Sequence, residues 1–211
     1  MTLPRLYPIL DTATLSARGC AVETAAEAIL AGGARILQFR HKGHFSRDVF
    51  KQAESVAALC RREGAIFIID DRADVAMLLG AGVHVGQDDL APGDARRLLG
   101  KEHVVGFSTH NEQQLRAAVA EPVDYVALGP VFGTVSKTRP DPTVGIEELR
   151  RLRPLVTRPF VAIGGITREN ARSVLDAGVD TVAVIADLFP EPCTFESLRE
   201  RVEQWQQILK A

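Results

Sequence analysis

Lys42, Asp71, Asp89 and Lys137 are the side chains whose types and spacing point most directly to chemistry. Each falls at the end of a predicted β-strand or in the loop that follows it. Two cations and two carboxylates delivered from four strand ends suit a magnesium-bound pyrophosphate. Magnesium usually takes one or two protein carboxylates and completes its shell with water and phosphate oxygens. Basic side chains then neutralise the remaining phosphate charge.

The elements that would position these groups are legible as alternating patterns. Short apolar runs predict strands at Leu6–Leu10, Ile36–Phe39, Ile66–Ile69, Val83–Val85, Val104–Phe107, Tyr125–Leu128, Phe160–Ile163 and Thr181–Ile185. Amphipathic stretches between them predict helices at Val22–Ala31, Ser46–Glu63, Arg72–Leu79, Pro92–Leu99, Glu112–Val119, Ile146–Leu152, Arg168–Ala177 and Phe195–Leu209. Strands alternating with helices imply right-handed crossovers and a parallel sheet. The runs are continuously apolar, as in a sheet covered by helices. Glycines at Gly32-Gly33, Gly80 and Gly178 are placed to end helices in the left-handed conformation. Eight such repeats predict an α/β chain folded as a single (β/α)8 TIM barrel over residues 1–211, compact beside the usual ~250 residues. An open doubly wound sheet is the alternative, but no Gly-x-Gly-x-x-Gly follows the first strand.

Composition narrows the partners. The 211 residues carry a net charge of −2, so no basic surface suggests nucleic acid and no polybasic run suggests a membrane. The N-terminal residues lack a secretion signal's apolar stretch, and no window has the apolar length to span a bilayer. Cys20, Cys60 and Cys193 are far apart in sequence, lack metal-ligand spacing and read as reduced thiols. The expectation is a soluble, cytoplasmic protein acting on small molecules.

In such a barrel, polar residues at the carboxyl ends of strands are the site candidates. Gln38, Arg40 and Lys42 share one face of the second strand, because side chains alternate along it. Asp70-Asp71 ends the third strand and Asp88-Asp89 follows the fourth. Neighbouring parallel strands lie ~4.8 Å apart, so carboxylates there repel unless a cation stands between them. One member of each pair is free to cap a helix instead, and the sequence alone does not say which. Ser108, Thr109 and His110 close the fifth strand, where a hydroxyl and an imidazole can bind phosphate or move a proton. The sixth opens into a long loop carrying Thr134, Val135, Ser136 and Lys137, a candidate lid. Gly164-Gly165 and the end of the eighth strand, Ile185-Ala186, suit a monophosphate held by backbone N–H groups. His84 reads as a packed strand residue.

Two anion sites in one barrel read as a transferase joining a phosphorylated acceptor to a donor activated by its pyrophosphate. The segments Gln38-Phe39-Arg40-His41-Lys42, Asp70-Asp71-Arg72-Ala73-Asp74-Val75-Ala76, Gly82 to Leu90, Gly106-Phe107-Ser108-Thr109-His110, Gly129-Pro130-Val131-Phe132 and Ala162-Ile163-Gly164-Gly165-Ile166 closely resemble the thiamine phosphate synthase family, over nearly the whole chain. The resemblance implies condensation of hydroxymethylpyrimidine diphosphate with hydroxyethylthiazole phosphate, Mg²⁺-dependent, with loss of pyrophosphate before the thiazole nitrogen attacks. It implies that Asp71 and Asp89 hold Mg²⁺. It places Gln38, Phe39, Arg40, His41, Lys42, Asp70, Ser108 and Lys137 on the pyrimidine diphosphate, with Arg40, Lys42, Ser108 and Lys137 catalytic. Thr134, Val135, Ser136, Gly165, Ile185 and Ala186 would surround the thiazole phosphate. Three positions depart from the family's pattern: His41 stands for a glutamate, Ala186 for a serine and Asp70 for an asparagine. An ionised Asp70 cannot donate a hydrogen bond, so it is expected either to meet an amino group or to be protonated beside Asp71.

Two other readings use the same barrel. A thiazole tautomerase would employ His110 as acid–base catalyst but would have no use for the Asp71/Asp89/Lys42/Lys137 set. A non-catalytic sensor of thiamine precursors would show no turnover.

Overall fold

The computed structural model describes residues 1–133 and 142–210. Eight strands, β1 (Leu6–Asp11), β2 (Ile36–Arg40), β3 (Ile66–Asp70), β4 (Gly82–Val85), β5 (Val105–Thr109), β6 (Tyr125–Leu128), β7 (Phe160–Ile163) and β8 (Thr181–Val184), pair in parallel and in sequence order. β1 closes on β8, where Leu6 faces Val182, so the sheet is a barrel without free edges. The open-sheet alternative is thereby excluded.

Continuous apolar strands are required because both faces are covered. Outward residues such as Leu10, Leu37, Phe39 and Ile69 pack under the helices in one large cluster. Inward residues, among them Tyr7, Ile9, Ile36, Ile68, Tyr125, Val161 and Ala183, form a second cluster inside the barrel. Each fully buried Leu, Ile or Phe contributes roughly 1.5–3 kcal/mol of transfer free energy, and six strands, all but β4 and β5, place buried residues in both clusters.

The helices are α1 (Thr12–Ala17), α2 (Val22–Ala31), α3 (Arg47–Arg62), α4 (Ala73–Leu79), α5 (Pro92–Leu99), α6 (Glu112–Ala120), α7 (Ile146–Leu152), α8 (Ala171–Asp176) and α9 (Phe195–Lys210). Strict alternation of eight with eight fails at one place: α1 is an additional helix directly after β1. It lacks an apolar stripe, burying only Leu15, and owes its start to Asp11, which accepts from Thr14 N and Oγ1 at 2.8 and 2.7 Å. α8 starts three residues later than expected because Asn170 Oδ1 accepts from Thr167 N (2.8 Å) and makes the intervening residues a turn. Gly33, Gly80 and Gly178 end their helices at positive φ, as their positions predicted.

The cysteines need one correction. Cys20 and Cys193, remote in sequence, meet in space: burial first, and a hydrogen bond to Cys20 next, push the Cys193 thiol up to about 12. No helix among the described residues is long and apolar enough to cross a membrane.

Candidate active site at the carboxyl ends of the strands

A cavity of about 750 Å³ opens at the carboxyl ends of the strands. Gln38, Arg40, Lys42, Asp70, Asp71, Asp89, Ser108, His110, Gly165, Ile185 and Ala186 all line it. Phe39 and His41 do not. Phe39 has the opposite parity and is buried beneath the helices, while His41 Nδ1 shares a 2.8 Å hydrogen bond with Thr12 Oγ1 and its ring meets Phe45 edge-on. Thr134, Val135, Ser136 and Lys137 lie outside the described residues.

Charges of alternating sign form a ladder along one wall. Asp11 faces Arg40 across the β1–β2 register, and their side chains are ion-paired with little exposure. Arg40 Nε lies 3.6 Å from Asp70 Oδ2, Lys42 Nζ lies 2.8 Å from the same oxygen, and Lys42 also pairs with Asp71. Burial works against the Lys42 ammonium, but Asp70 and Asp71 outweigh it and raise its pKa. Burial dominates at Asp70 too: it holds that carboxyl above its ordinary value although Lys42 and Arg40 pull it down. Asp70 Oδ2 is thus buried between two cations, with Lys42 the nearer.

Asp71 owes its place to unusual backbone. Its φ of 63° makes it the sole non-glycine residue with positive φ among those described. Arg72 N donates to Asp70 O at 2.7 Å and Ala73 N to Asp71 O at 3.2 Å, so two three-residue turns follow one another before α4. Asp71 N is tied across to His84 O at 2.8 Å. A left-handed non-glycine residue costs on the order of 1–3 kcal/mol and is commonly found at functional sites. The turns swing the Asp71 carboxylate toward Asp89, which is itself fixed by accepting from Gly86 N at 2.8 Å. Burial first, then the hydrogen bond and charge of Asp71, raise the Asp89 carboxyl. Two hard oxygen groups crowded enough to disturb each other fit a small divalent cation that keeps water and phosphate oxygens as its remaining ligands. Among the described residues no group of three or more His, Cys, Asp or Glu could hold a metal ion.

Across the mouth, Gly164 (φ 100°) and Gly165 (φ 64°) adopt conformations that favour glycine. Close packing requires them as well: a Cβ on Gly164 would stand 2.5 Å from Pro130, and one on Gly165 would stand 2.5 Å from Gly133 O. Val131 N and Phe132 N donate to Ile163 O and Gly164 O at 2.9 and 3.0 Å, binding the β6 loop to the diglycine turn. The two glycines therefore serve loop–loop packing that composition did not suggest.

Sequence reasoning missed the floor of the cavity. Tyr7 and Tyr125, the chain's two tyrosines, point into the barrel and hydrogen-bond to each other at 2.9 Å. Gln38 Nε2 donates to Tyr7 Oη at 3.0 Å. His84 packs on β4 as expected, stacking on Tyr125, but its ring nitrogens also contact Tyr125 Oη at 2.9 Å and Ser108 Oγ at 3.2 Å. Inward parity of two phenols within apolar strands was the available signal, since a buried tyrosine hydroxyl needs a partner. Asp11 was missed because its role as a helix cap and its pairing with Arg40 depend on α1 and on strand register.

Fold and cavity together are those of a (β/α)8-barrel with a polar cavity at the carboxyl ends of its strands, its paired carboxylates opposite a diglycine turn. Residues 6–188 match the family model for thiamine monophosphate synthase, and the chain belongs to that family. It is 46% identical over 212 residues to the thiamine-phosphate synthase of Koribacter versatilis, covering 99% of this chain and 97% of that one. It is 42% identical over 183 residues to that of Chloroflexus aurantiacus, covering 86% and 83%. Among solved structures, thiamine phosphate pyrophosphorylase from Pyrococcus furiosus superposes with a TM-score of 0.84 at 31% identity, covering 98% and 95% of the two chains.

Proposed function

We propose that this chain, acting as one barrel unit over residues 1–211, joins hydroxymethylpyrimidine diphosphate to hydroxyethylthiazole phosphate, giving thiamine phosphate and pyrophosphate. As a member of the thiamine monophosphate synthase family it is a transferase of thiamine biosynthesis. The observation that carries the detailed reading is the convergence of Gln38, Arg40, Lys42, Asp70, Asp71, Asp89 and Ser108 on a single cavity.

The residues divide the work as follows. Arg40 and Lys42 bind the diphosphate and stabilise the charge that grows on its oxygens as the bond to the pyrimidine methylene breaks. Lys42 is suited to this because Asp70 and Asp71 keep it cationic. Asp70, which lines the cavity between Arg40 and Lys42, faces the pyrimidine and holds these two cations in place. Ser108, beside His84, contributes a hydroxyl to the diphosphate side. Asp71 and Asp89 would hold Mg²⁺, which supplies Lewis-acid stabilisation of the departing pyrophosphate. Thr134, Val135, Ser136, Gly165, Ile185 and Ala186 surround the acceptor phosphate, and Lys137 completes the cationic set. Phe39 and His41 serve this site through their backbone, since their side chains are committed elsewhere. The free thiols of Cys20, Cys60 and Cys193 support a cytoplasmic setting.

The test is direct. Incubating the protein with both phosphorylated precursors and Mg²⁺ should yield thiamine phosphate and pyrophosphate, and chelator should suppress both. Turnover that is indifferent to chelator removes the metal from this reading. Isomerisation of a thiazole without coupling removes the transferase itself.

A further inference from the structure

The hydroxyl-bearing groups on the cavity floor form one unbroken chain, and its direction is determined by its first member. Gln38 Nε2 donates to Tyr7 Oη at 3.0 Å. Tyr7 is 1% exposed, and among the described residues its other hydrogen-bond partner is Tyr125 Oη at 2.9 Å. A buried hydroxyl seldom leaves its proton unpaired, so Tyr7 donates to Tyr125. Tyr125 is fully buried, already accepts from Tyr7, and therefore directs its own proton at His84 Nδ1, 2.9 Å away. A neutral imidazole whose Nδ1 accepts carries its proton on Nε2, and Nε2 lies 3.2 Å from Ser108 Oγ, within reach to donate. Ser108 accepts there, and its hydroxyl proton is left to point into the cavity that it lines.

We infer that Gln38, Tyr7, Tyr125 and His84 are a one-way hydrogen-bond relay that presets Ser108 as a donor toward the diphosphate substrate. Ser108 touches substrate, Tyr7, Tyr125 and His84 are positioning residues, and Gln38, which also lines the cavity, sets their direction. This rests on the reading that Ser108 faces the pyrimidine diphosphate, and it adds why that serine would donate. A serine hydroxyl rotates among donor and acceptor arrangements unless something fixes it. Here the nitrogen beside it offers a proton, so the serine presents its own to an anion, the polarity a departing pyrophosphate needs. The barrel is built around this chain. Gly106 on β5 lies against the Tyr125 ring, where any side chain would collide with Cζ and Oη. The His84 and Tyr125 rings stack with centroids 5.5 Å apart at 18°, which holds the imidazole in its plane.

The decisive experiment reads the imidazole, not the reaction. Two-bond ¹H–¹⁵N correlation on histidine-labelled protein, with His84 assigned through His84→Gln, should show the Nε2–H tautomer. The Nδ1–H tautomer, or a doubly protonated ring, would mean that the chain runs the other way or not at all, and would overturn the relay. Kinetics supply the second arm. Ser108→Ala and Tyr125→Phe should each lower kcat by about 10- to 100-fold, the worth of one hydrogen bond to a charged group, with KM for the thiazole phosphate little changed. The double variant should lose no more than the worse single one. Losses that multiply would show that the two act independently and would reject the relay. If the wild-type protein fails to couple the two precursors, the functional reading falls while the tautomer measurement still decides the relay.

Discussion

Replacing Asp11 by asparagine separates two tasks that one carboxylate performs. Oδ1 caps α1 by accepting from Thr14 N and Oγ1 at 2.8 and 2.7 Å, and Oδ2 pairs with Arg40. Asparagine caps helices about as well as aspartate, so Asp11→Asn should keep α1 and lose only the ion pair. A hydrogen bond to a charged group is worth about 1.5–3 kcal/mol when buried. Both side chains are well shielded, at 14% and 7% exposure, and Arg40 keeps Asp70 as a weaker partner at 3.6 Å. A loss of about 2 kcal/mol follows, and each kcal/mol moves Tm by about 2–4 °C in a chain of this size, so Tm should drop about 4–8 °C. Asp11→Ala also loses the cap, adding about 1 kcal/mol. The pH dependence has a definite sign. Burial alone would raise the Asp11 carboxyl, but Thr14 and Arg40 together lower it below its ordinary value. A depressed carboxyl stabilises the fold above its unfolded pKa of about 3.9 and loses that stabilisation as pH falls through the folded value. The wild-type and Asp11→Asn melting curves should therefore stay apart at neutral pH and converge below about pH 4. A gap that is absent at pH 7, or as wide at pH 3 as at pH 7, would refute the pairing argument.

Other perturbations probe other parts of the site. Gly165→Ala meets a left-handed φ and would bring a Cβ to 2.5 Å from Gly133 O, so KM for the phosphorylated thiazole should rise with a smaller change for the diphosphate. Equal changes for both substrates would detach this turn from the acceptor. Gly106→Ala collides with Tyr125. Overpacking costs about 1–3 kcal/mol, visible as a drop in Tm and a kcat no higher than that of Tyr125→Phe. Lys42→Ala removes the cation shared by Asp70 and Asp71. A fall in kcat of about 10²- to 10³-fold is expected, the usual cost of one charge-stabilising group, and an unchanged kcat would take Lys42 out of the reaction.

Much of the fold was written in local pattern. Continuous apolar runs such as Phe160–Ile163 and Tyr125–Leu128 appear as strands with the same bounds, because a strand covered on both faces favours apolar residues on each. Parity along β2 placed Gln38, Arg40 and Lys42 in the cavity. The same parity should have kept the Phe39 side chain out of it, and resemblance alone had put it there. What stayed hidden depends on through-space register. α1 has no amphipathic stripe to reveal it, and Asp11 meets Arg40 only because β1 and β2 pair with those residues opposed. Tyr7 and Tyr125 meet across the barrel interior, 118 positions apart in sequence. Cys20 and Cys193 are brought together by the fold in the same way. The two short turns that aim Asp71 are likewise a backbone choice that an Asp-Asp-Arg sequence does not announce.

Whether Asp71 and Asp89 act with magnesium on a diphosphate is tested, without any turnover, by calorimetric titration of pyrophosphate. The wild-type protein should bind pyrophosphate at least tenfold more tightly with Mg²⁺ than with chelator, and that ratio should collapse in both Asp71→Asn and Asp89→Asn. Equal affinity with and without Mg²⁺, or a magnesium effect that survives both substitutions, would contradict it.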